Sequence, residues 1–195
     1  MEENKGMIFA ITGPSSSGKT TYSRELVEHY SDTANSSIVY TTRKQRPGEQ
    51  EGIQYHFVND SQFNTLLQNN IFACSKNFCG NRYGIEKEYI KSVIEEEGKD
   101  LIFDTIFDIP DLMAIGENVT IIFLTTAPEE LKRRIIERDP NINPEELNLR
   151  MEDIRIQMQN ATSCDYIVST DSNRSQEEVL QELIGIVEQV RSDLK

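Results

Sequence analysis

The sequence predicts a doubly wound α/β fold: a parallel sheet of five strands with helices on both faces, a small α/β flap inserted after strand two, and a helical lid. Apolar runs such as residues 7–12 and 120–125 are continuous rather than alternating, as suits strands buried on both faces. Segments with helix start and stop signals alternate with these runs at both ends of the chain. That alternation specifies parallel βα units, with ligands received at the carboxyl ends of the strands.

Taken in order, residues 7–12 form strand one and 19–30 the first helix. Residues 37–41 (Ser-Ile-Val-Tyr-Thr) are rich in β-branched side chains and form strand two. Residues 41–84 then break the pattern, with short alternating pieces at 54–58 and 72–78 around a helix at 61–69. A helix over 86–97 closes on Gly98, followed by strand three at 101–104 and strand four at 120–125. Pro128 opens a helix to Arg138, and Asn143-Pro144 opens another to about residue 160. The turn-rich tip 139–144 between them carries arginines before and after it, as a mobile lid does. Residues 166–169 form a short fifth strand, and Ser175 with Glu178 makes a capping box for the last helix, 175–193. The organisation expected is one domain over 1–195, with a core of 1–40 and 85–195, a flap of 41–84 and a lid at about 134–150.

The net charge of −13 argues against a general nucleic-acid or anionic-membrane surface, which needs clustered cations. No run approaches the roughly 18 apolar residues of a membrane span, and the start Met1-Glu2-Glu3-Asn4-Lys5 lacks a leader's apolar block. A cytoplasmic protein, monomeric or homodimeric, is expected. Positive charge is concentrated locally, at 41–48 and 131–134, where it can act on a bound anion within a Debye length. Cys74, Cys79 and Cys164 lack metal-ligand spacing and are expected to act as small buried hydrophobes, the first two pointing to opposite faces of a strand.

Residues Gly13 to Thr20 read Gly-Pro-Ser-Ser-Ser-Gly-Lys-Thr between strand one and the first helix. Gly13 and Gly18 let the backbone curl so that successive N–H groups, including those of Ser15, Ser16, Ser17 and Thr21, face phosphate oxygens. Lys19 adds a point charge for the β- and γ-phosphates, and the Thr20 hydroxyl is a ligand for Mg2+. The positive end of the helix dipole points at the same anion. Asp104, ending strand three, is placed to hold a metal-bound water or a substrate hydroxyl. The motif points to a P-loop NTPase-type core that binds a nucleoside triphosphate with Mg2+.

Beyond this loop, Thr41-Thr42-Arg43-Lys44-Gln45-Arg46-Pro47-Gly48-Glu49, Gly52, Tyr55-His56-Phe57-Val58, Gly80-Asn81-Arg82-Tyr83-Gly84, Leu131-x-x-Arg134-x-x-x-Arg138 and Asp165-Tyr166-Ile167-Val168 follow one another in the chain. Together they resemble the guanylate kinase family over nearly the whole length. The resemblance implies transfer of the ATP γ-phosphoryl group to the phosphate of a nucleoside monophosphate. Arg43 and Arg46 offer planar forks to the acceptor phosphate, and Tyr55 and Tyr83 add hydroxyl donors. Arg134, Arg138 and Arg150 resemble the family's lid arginines, which neutralise charge in a reaction that requires positioning more than covalent chemistry. The interval from Arg138 to Arg150 is one residue longer than the family's.

The departures cluster on base recognition. Val39 stands where the family carries a serine, Cys74 where it carries a glutamate, and Ile85 where a small hydroxyl residue is common. Ile106 replaces the second of two aspartates at the end of strand three, and Asp108 comes too late to share that strand's face. Losing the carboxylate and a hydroxyl removes roughly 2–4 kcal/mol of guanine recognition. Three expectations follow: a kinase acting on GMP or dGMP, the same chemistry on another small phosphate-bearing substrate such as ribose 1,5-bisphosphate or a different nucleotide, and a non-catalytic binding module of the same fold. Thr170 replaces the asparagine expected beside the adenine, so preference for ATP over GTP rests on the resemblance alone.

Overall fold

The computed structural model of the chain describes residues 5–53, 55–78, 80–116 and 118–193. The expectations that fell on the first four residues, on Gln54 and on Cys79 lie outside them. Nine strands and seven α-helices are seen among the described residues. A five-stranded sheet has the order β2-β7-β1-β8-β9, from Ala34–Ser36 (β2), Asp100–Asp104 (β7), Ile8–Thr12 (β1), Val119–Thr125 (β8) and Tyr166–Ser169 (β9). The registers Ala34 with Asp100 and Ile122 with Tyr166 are parallel. Placing β1 in the middle puts the change of winding direction at its carboxyl end, where such sheets bind ligands. The central strands are fully buried, with Phe9, Ala10, Ile11, Leu101, Ile102, Ile122 and Leu124 all shielded from solvent.

A second sheet of four strands has the order β4-β3-β6-β5, from Tyr55–Phe57 (β4), Val39–Thr41 (β3), Asn81–Glu86 (β6) and Phe72–Phe78 (β5). Strand two of the parallel sheet is therefore Ala34–Ser36, not 37–41. A three-residue polar strand suffices at a sheet edge, whereas the β-branched run feeds the second sheet. The helix expected over 86–97 is an α-helical turn, Lys87–Lys91 (α3), continued as a π-helical turn over Ser92–Glu96.

The chain packs as two compact units. Of the described residues, one comprises those within 5–8, 31–102 and 106–119; the other comprises Phe9–Tyr30, Phe103–Thr105 and 120–193. In the first, helix α2 (Asp60–Gln68) begins with a full capping box, Asn59 with Gln62, and covers one face of the four-stranded sheet through Phe63 against Phe72. Gly84 is required there, because a Cβ would stand 2.8 Å from the Phe72 ring. Helix α4 (Ile109–Met113) lies in this unit as well. In the second unit α1 (Lys19–His29) follows the glycine loop, and α7 (Gln176–Asp193) closes the chain. Helices α5 (Pro128–Arg138) and α6 (Pro144–Met158) form a helical hairpin. Leu131, Ile135 and Ile154 make its core, flanked by Ile142, Leu147, Met151 and Met158. Among the described residues no helix is long and apolar enough to cross a membrane.

Candidate active site

The second unit holds the phosphate loop. Gly13 and Gly18 adopt positive φ, 139° and 94°, and Ser16 does so at 68°. A Cβ on Gly13 would lie 2.4 Å from the Leu124 carbonyl oxygen, so the loop can run close to β8 only with glycine there. Gly18 caps α1 without a side-chain hydrogen bond, and no acidic residue lies in the first turn, which leaves the helix start electropositive. The Ser16 and Ser17 hydroxyls are buried without a protein hydrogen-bond partner, as a cradle for an anion requires.

Lys19 folds back over this loop, donating to the carbonyl oxygens of Gly13 (2.7 Å) and Pro14 (2.8 Å). Burial pulls its pKa down to about 8; Asp104 and Asp153 counteract that pull, and Arg138 adds to it. Arg138 and Asp153 thus both act on Lys19 from the helical hairpin. The Thr20 hydroxyl donates to Asp104 Oδ2 at 2.7 Å, and Ser23 approaches Oδ1 at 3.4 Å. A hydroxyl and a carboxylate side by side are hard oxygen ligands of the kind Mg2+ takes while keeping water and phosphate oxygens.

Arg134 donates to the carbonyl oxygens of Ser16 (3.3 Å) and Thr170 (2.7 Å) and pairs with Glu130. It therefore ties the loop to the hairpin as well as supplying charge. Arg150 pairs with Glu146 at 2.5 Å. The Thr170 hydroxyl meets the Ser17 carbonyl at 2.9 Å and Thr126 at 2.6 Å, so it holds the loop.

Of the acceptor residues expected from the sequence, Val39, Tyr55, Cys74 and Tyr83 lie on one face of the first unit's sheet, Arg43 and Arg46 in the loop after β3, and Asp104 in the second unit. The registers Thr41 with Phe57, Thr41 with Tyr83, and Tyr83 with Lys76 form one row. Val39 with Tyr55 and Ile85 with Cys74 stand two residues along on the same face. The Arg43 guanidinium lies 5.0 Å from the centre of the Tyr55 ring and 5.7 Å from that of Phe57, and the Tyr55 and Tyr83 rings are 6.3 Å apart. Glu49 grips Arg43 at 2.7 and 3.0 Å and accepts from the Arg46 amide, so the clamp loop is pre-shaped. The Arg43 hydrogen bond holds the Glu49 carboxyl below its ordinary pKa. The Arg46 side chain is exposed.

Cys74 and Ile85 are buried, and burial pushes the Cys74 thiol up to about 12. Cys164 is only half-buried, not a core residue, though burial still raises its thiol to about 11. Sequence reasoning missed Lys76 and set Asp108 aside as too late to share the face of β7. Lys76 Nζ lies 2.6 Å from Asp108 Oδ1, and Asp108 begins α4 without capping it. The strand alternation through 72–78 could have put Lys76 on the Cys74 face; no local signal joins Asp108 to it.

A strand, a glycine-bounded loop, an uncapped helix start and a strand-end carboxylate, joined in this order, define the class: a P-loop phosphotransferase. Comparison with known proteins narrows it. The family model for guanylate kinase matches residues 5–189. A guanylate kinase of Rickettsia prowazekii (strain Madrid E) is 34% identical over 173 residues, covering 87% of this chain and 85% of the relative. One from Clostridium perfringens (strain 13 / Type A) is 32% identical over 175 residues, covering 88% and 79%. The crystal structure of guanylate kinase from Anaplasma phagocytophilum shares the fold at a TM-score of 0.77 and 22% identity, over 96% of this chain and 87% of that one. The chain belongs to the guanylate kinase family, and with it to the nucleoside monophosphate kinases.

Proposed function

We propose that the protein moves the γ-phosphoryl group of ATP onto the phosphate of GMP or dGMP. The observation that carries this reading is the Lys19 ammonium, held inside a loop of positive-φ residues whose buried hydroxyls have no protein partner. In this reading the amides of Gly13 and residues 15–21 hold the donor phosphates and Lys19 bridges the β- and γ-phosphates. Thr20 and Asp104 would hold Mg2+, which when bound neutralises charge on the transferred group. Arg43, Arg46, Tyr55 and Tyr83 fix the acceptor phosphate, and Val39, Cys74 and Ile85 form the apolar floor beneath the rest of the acceptor. Arg134 and Arg138 stabilise charge on the transferred group, and Arg150 joins them on release from Glu146. The flap of 41–84 and the lid at about 134–150 serve one functional domain with the core of 1–40 and 85–195.

The apolar floor favours a second reading, the same chemistry on another phosphomonoester such as ribose 1,5-bisphosphate. Turnover with MgATP against GMP, dGMP, other nucleoside monophosphates and ribose 1,5-bisphosphate tests both. Metal-dependent ADP release with GMP or dGMP is expected. Turnover confined to the sugar bisphosphate favours the second reading, and silence with every acceptor favours a non-catalytic module.

A further inference from the structure

Resting on the assignment as a nucleoside monophosphate kinase, we propose that Asp108 and Lys76 read the acceptor base. The carboxylate accepts from ring and exocyclic N–H groups, and the ammonium donates to the neighbouring carbonyl oxygen.

The acceptor face has two ends. At the β4 end, Arg43 and Tyr55 gather donors suited to a phosphate, and the Tyr83 ring on β6 comes within 6.3 Å of that of Tyr55. From there the floor runs over Val39, Ile85 and Cys74, which offer no charge, because the thiol stays protonated at neutral pH. The β5 end is polar again: Lys76 stands beside Tyr83 in register, with Asp108 2.6 Å from its ammonium. Strand β5 lies about 10 Å from β3, two strand spacings, which is of the order of the span from a 5′-phosphate to the far edge of a purine. The Lys76 side chain is 26% exposed and that of Asp108 56%, so both are accessible to a ligand.

Charge decides what this end accepts. Asp111 also reaches it, raising the Cys74 thiol through its field. With Asp108 paired to the ammonium and Asp111 acting on the neighbouring thiol, this end carries more carboxylate than ammonium charge, which disfavours a second phosphate and attracts N–H donors. A carboxylate has about four acceptor sites, and Lys76 occupies one; an ammonium has three donors, and Asp108 occupies one. The remainder suits an edge with two N–H groups beside a carbonyl, which is the pattern of guanine. The carboxylate absent at Cys74 is supplied from the segment after β7.

The test is steady-state turnover of the full chain with MgATP and GMP, IMP, AMP or ribose 1,5-bisphosphate, for the unmodified protein, Asp108→Asn, Asp108→Glu and Lys76→Met. Asp108→Asn should raise the KM for GMP roughly 10- to 100-fold with kcat much less affected. It should also shrink the preference for GMP over IMP, which lacks the 2-amino group. Lys76→Met should raise the KM for both about tenfold, and Asp108→Glu should restore part of the loss. A folding defect would lower kcat and ATP affinity together, so the KM split and the GMP/IMP ratio report on base reading alone. An unchanged GMP KM and GMP/IMP ratio in Asp108→Asn, with normal nucleotide turnover, overturns the inference and leaves the kinase assignment standing. Unmodified protein that turns over only ribose 1,5-bisphosphate, or nothing, overturns both the GMP assignment and the inference.

Discussion

Around Lys19 the proposed donor site is mostly main-chain amides, shaped by positive φ at Gly13, Ser16 and Gly18; on the four-stranded sheet the proposed acceptor face is built from side chains placed by strand register. A backbone site admits little change, because a Cβ at Gly13 would strike the Leu124 carbonyl. A side-chain site can be altered one position at a time without disturbing the sheet. Val39, Cys74 and Ile85 occupy such positions, and in the proposed reading the pair Lys76–Asp108, 2.6 Å apart, supplies the polar groups from another segment. The difference teaches that a site shaped by backbone conformation tolerates little change, while one built from side chains on a sheet can be altered a few groups at a time.

The largest effect should come from the backbone site. Lys19→Ala is expected to lower kcat by about 10³-fold or more while thermal melting barely moves; near-normal turnover would remove the loop from the chemistry. On the acceptor face, Arg43→Met should raise the acceptor KM roughly 100-fold with the ATP KM unchanged, measured by varying each substrate separately. Equal effects on both substrates would erase the division between the two sites.

A stability measurement sharpens the comparison further. Gly84→Ala places a methyl 2.8 Å from Phe72, whose ring is packed against Phe63, and should destabilise by about 1–3 kcal/mol, read by urea denaturation. The smallest effect is on pH dependence. Burial holds Lys19 at about 8, below its ordinary 10.5, so the apo protein keeps the ammonium at neutral pH and loses it above about pH 8, well before the unfolded chain does. Its stability should therefore gain from this group as pH rises from about 8 to 10.5, because the unfolded chain binds the extra proton there. ATP needs the ammonium, so ATP affinity should fall modestly across the same window, with proton uptake detectable calorimetrically in buffers of different ionisation enthalpy.

The legible parts of the sequence were those with local causes. Pro128 and Arg138 bound α5 where proline and the following turn predict, and Asn143 caps α6 through the Glu146 amide. The phosphate loop is likewise eight consecutive residues whose conformation is written into their glycines. Strand two was misplaced because propensity favours Ile38-Val39-Tyr40, while the parallel sheet needs only a short edge at Ala34–Ser36. The contact of Lys76 with Asp108 joins residues 32 apart in sequence, across a strand and the segment after β7, and no period or motif encodes it. Arg134 was expected to supply charge, but its hydrogen bonds to the Ser16 and Thr170 carbonyls depend on tertiary packing that spacing does not reveal.

The most direct test is a crystal structure with a non-hydrolysable ATP analogue, Mg2+ and GMP. The account predicts donor phosphates enclosed by the amides of Gly13 and residues 15–20 with Lys19 turned from its carbonyl partners onto them, and GMP with its phosphate at Arg43 and its base edge on Asp108. A loop without phosphate, or GMP bound with Arg43 and Asp108 both facing solvent, would contradict it.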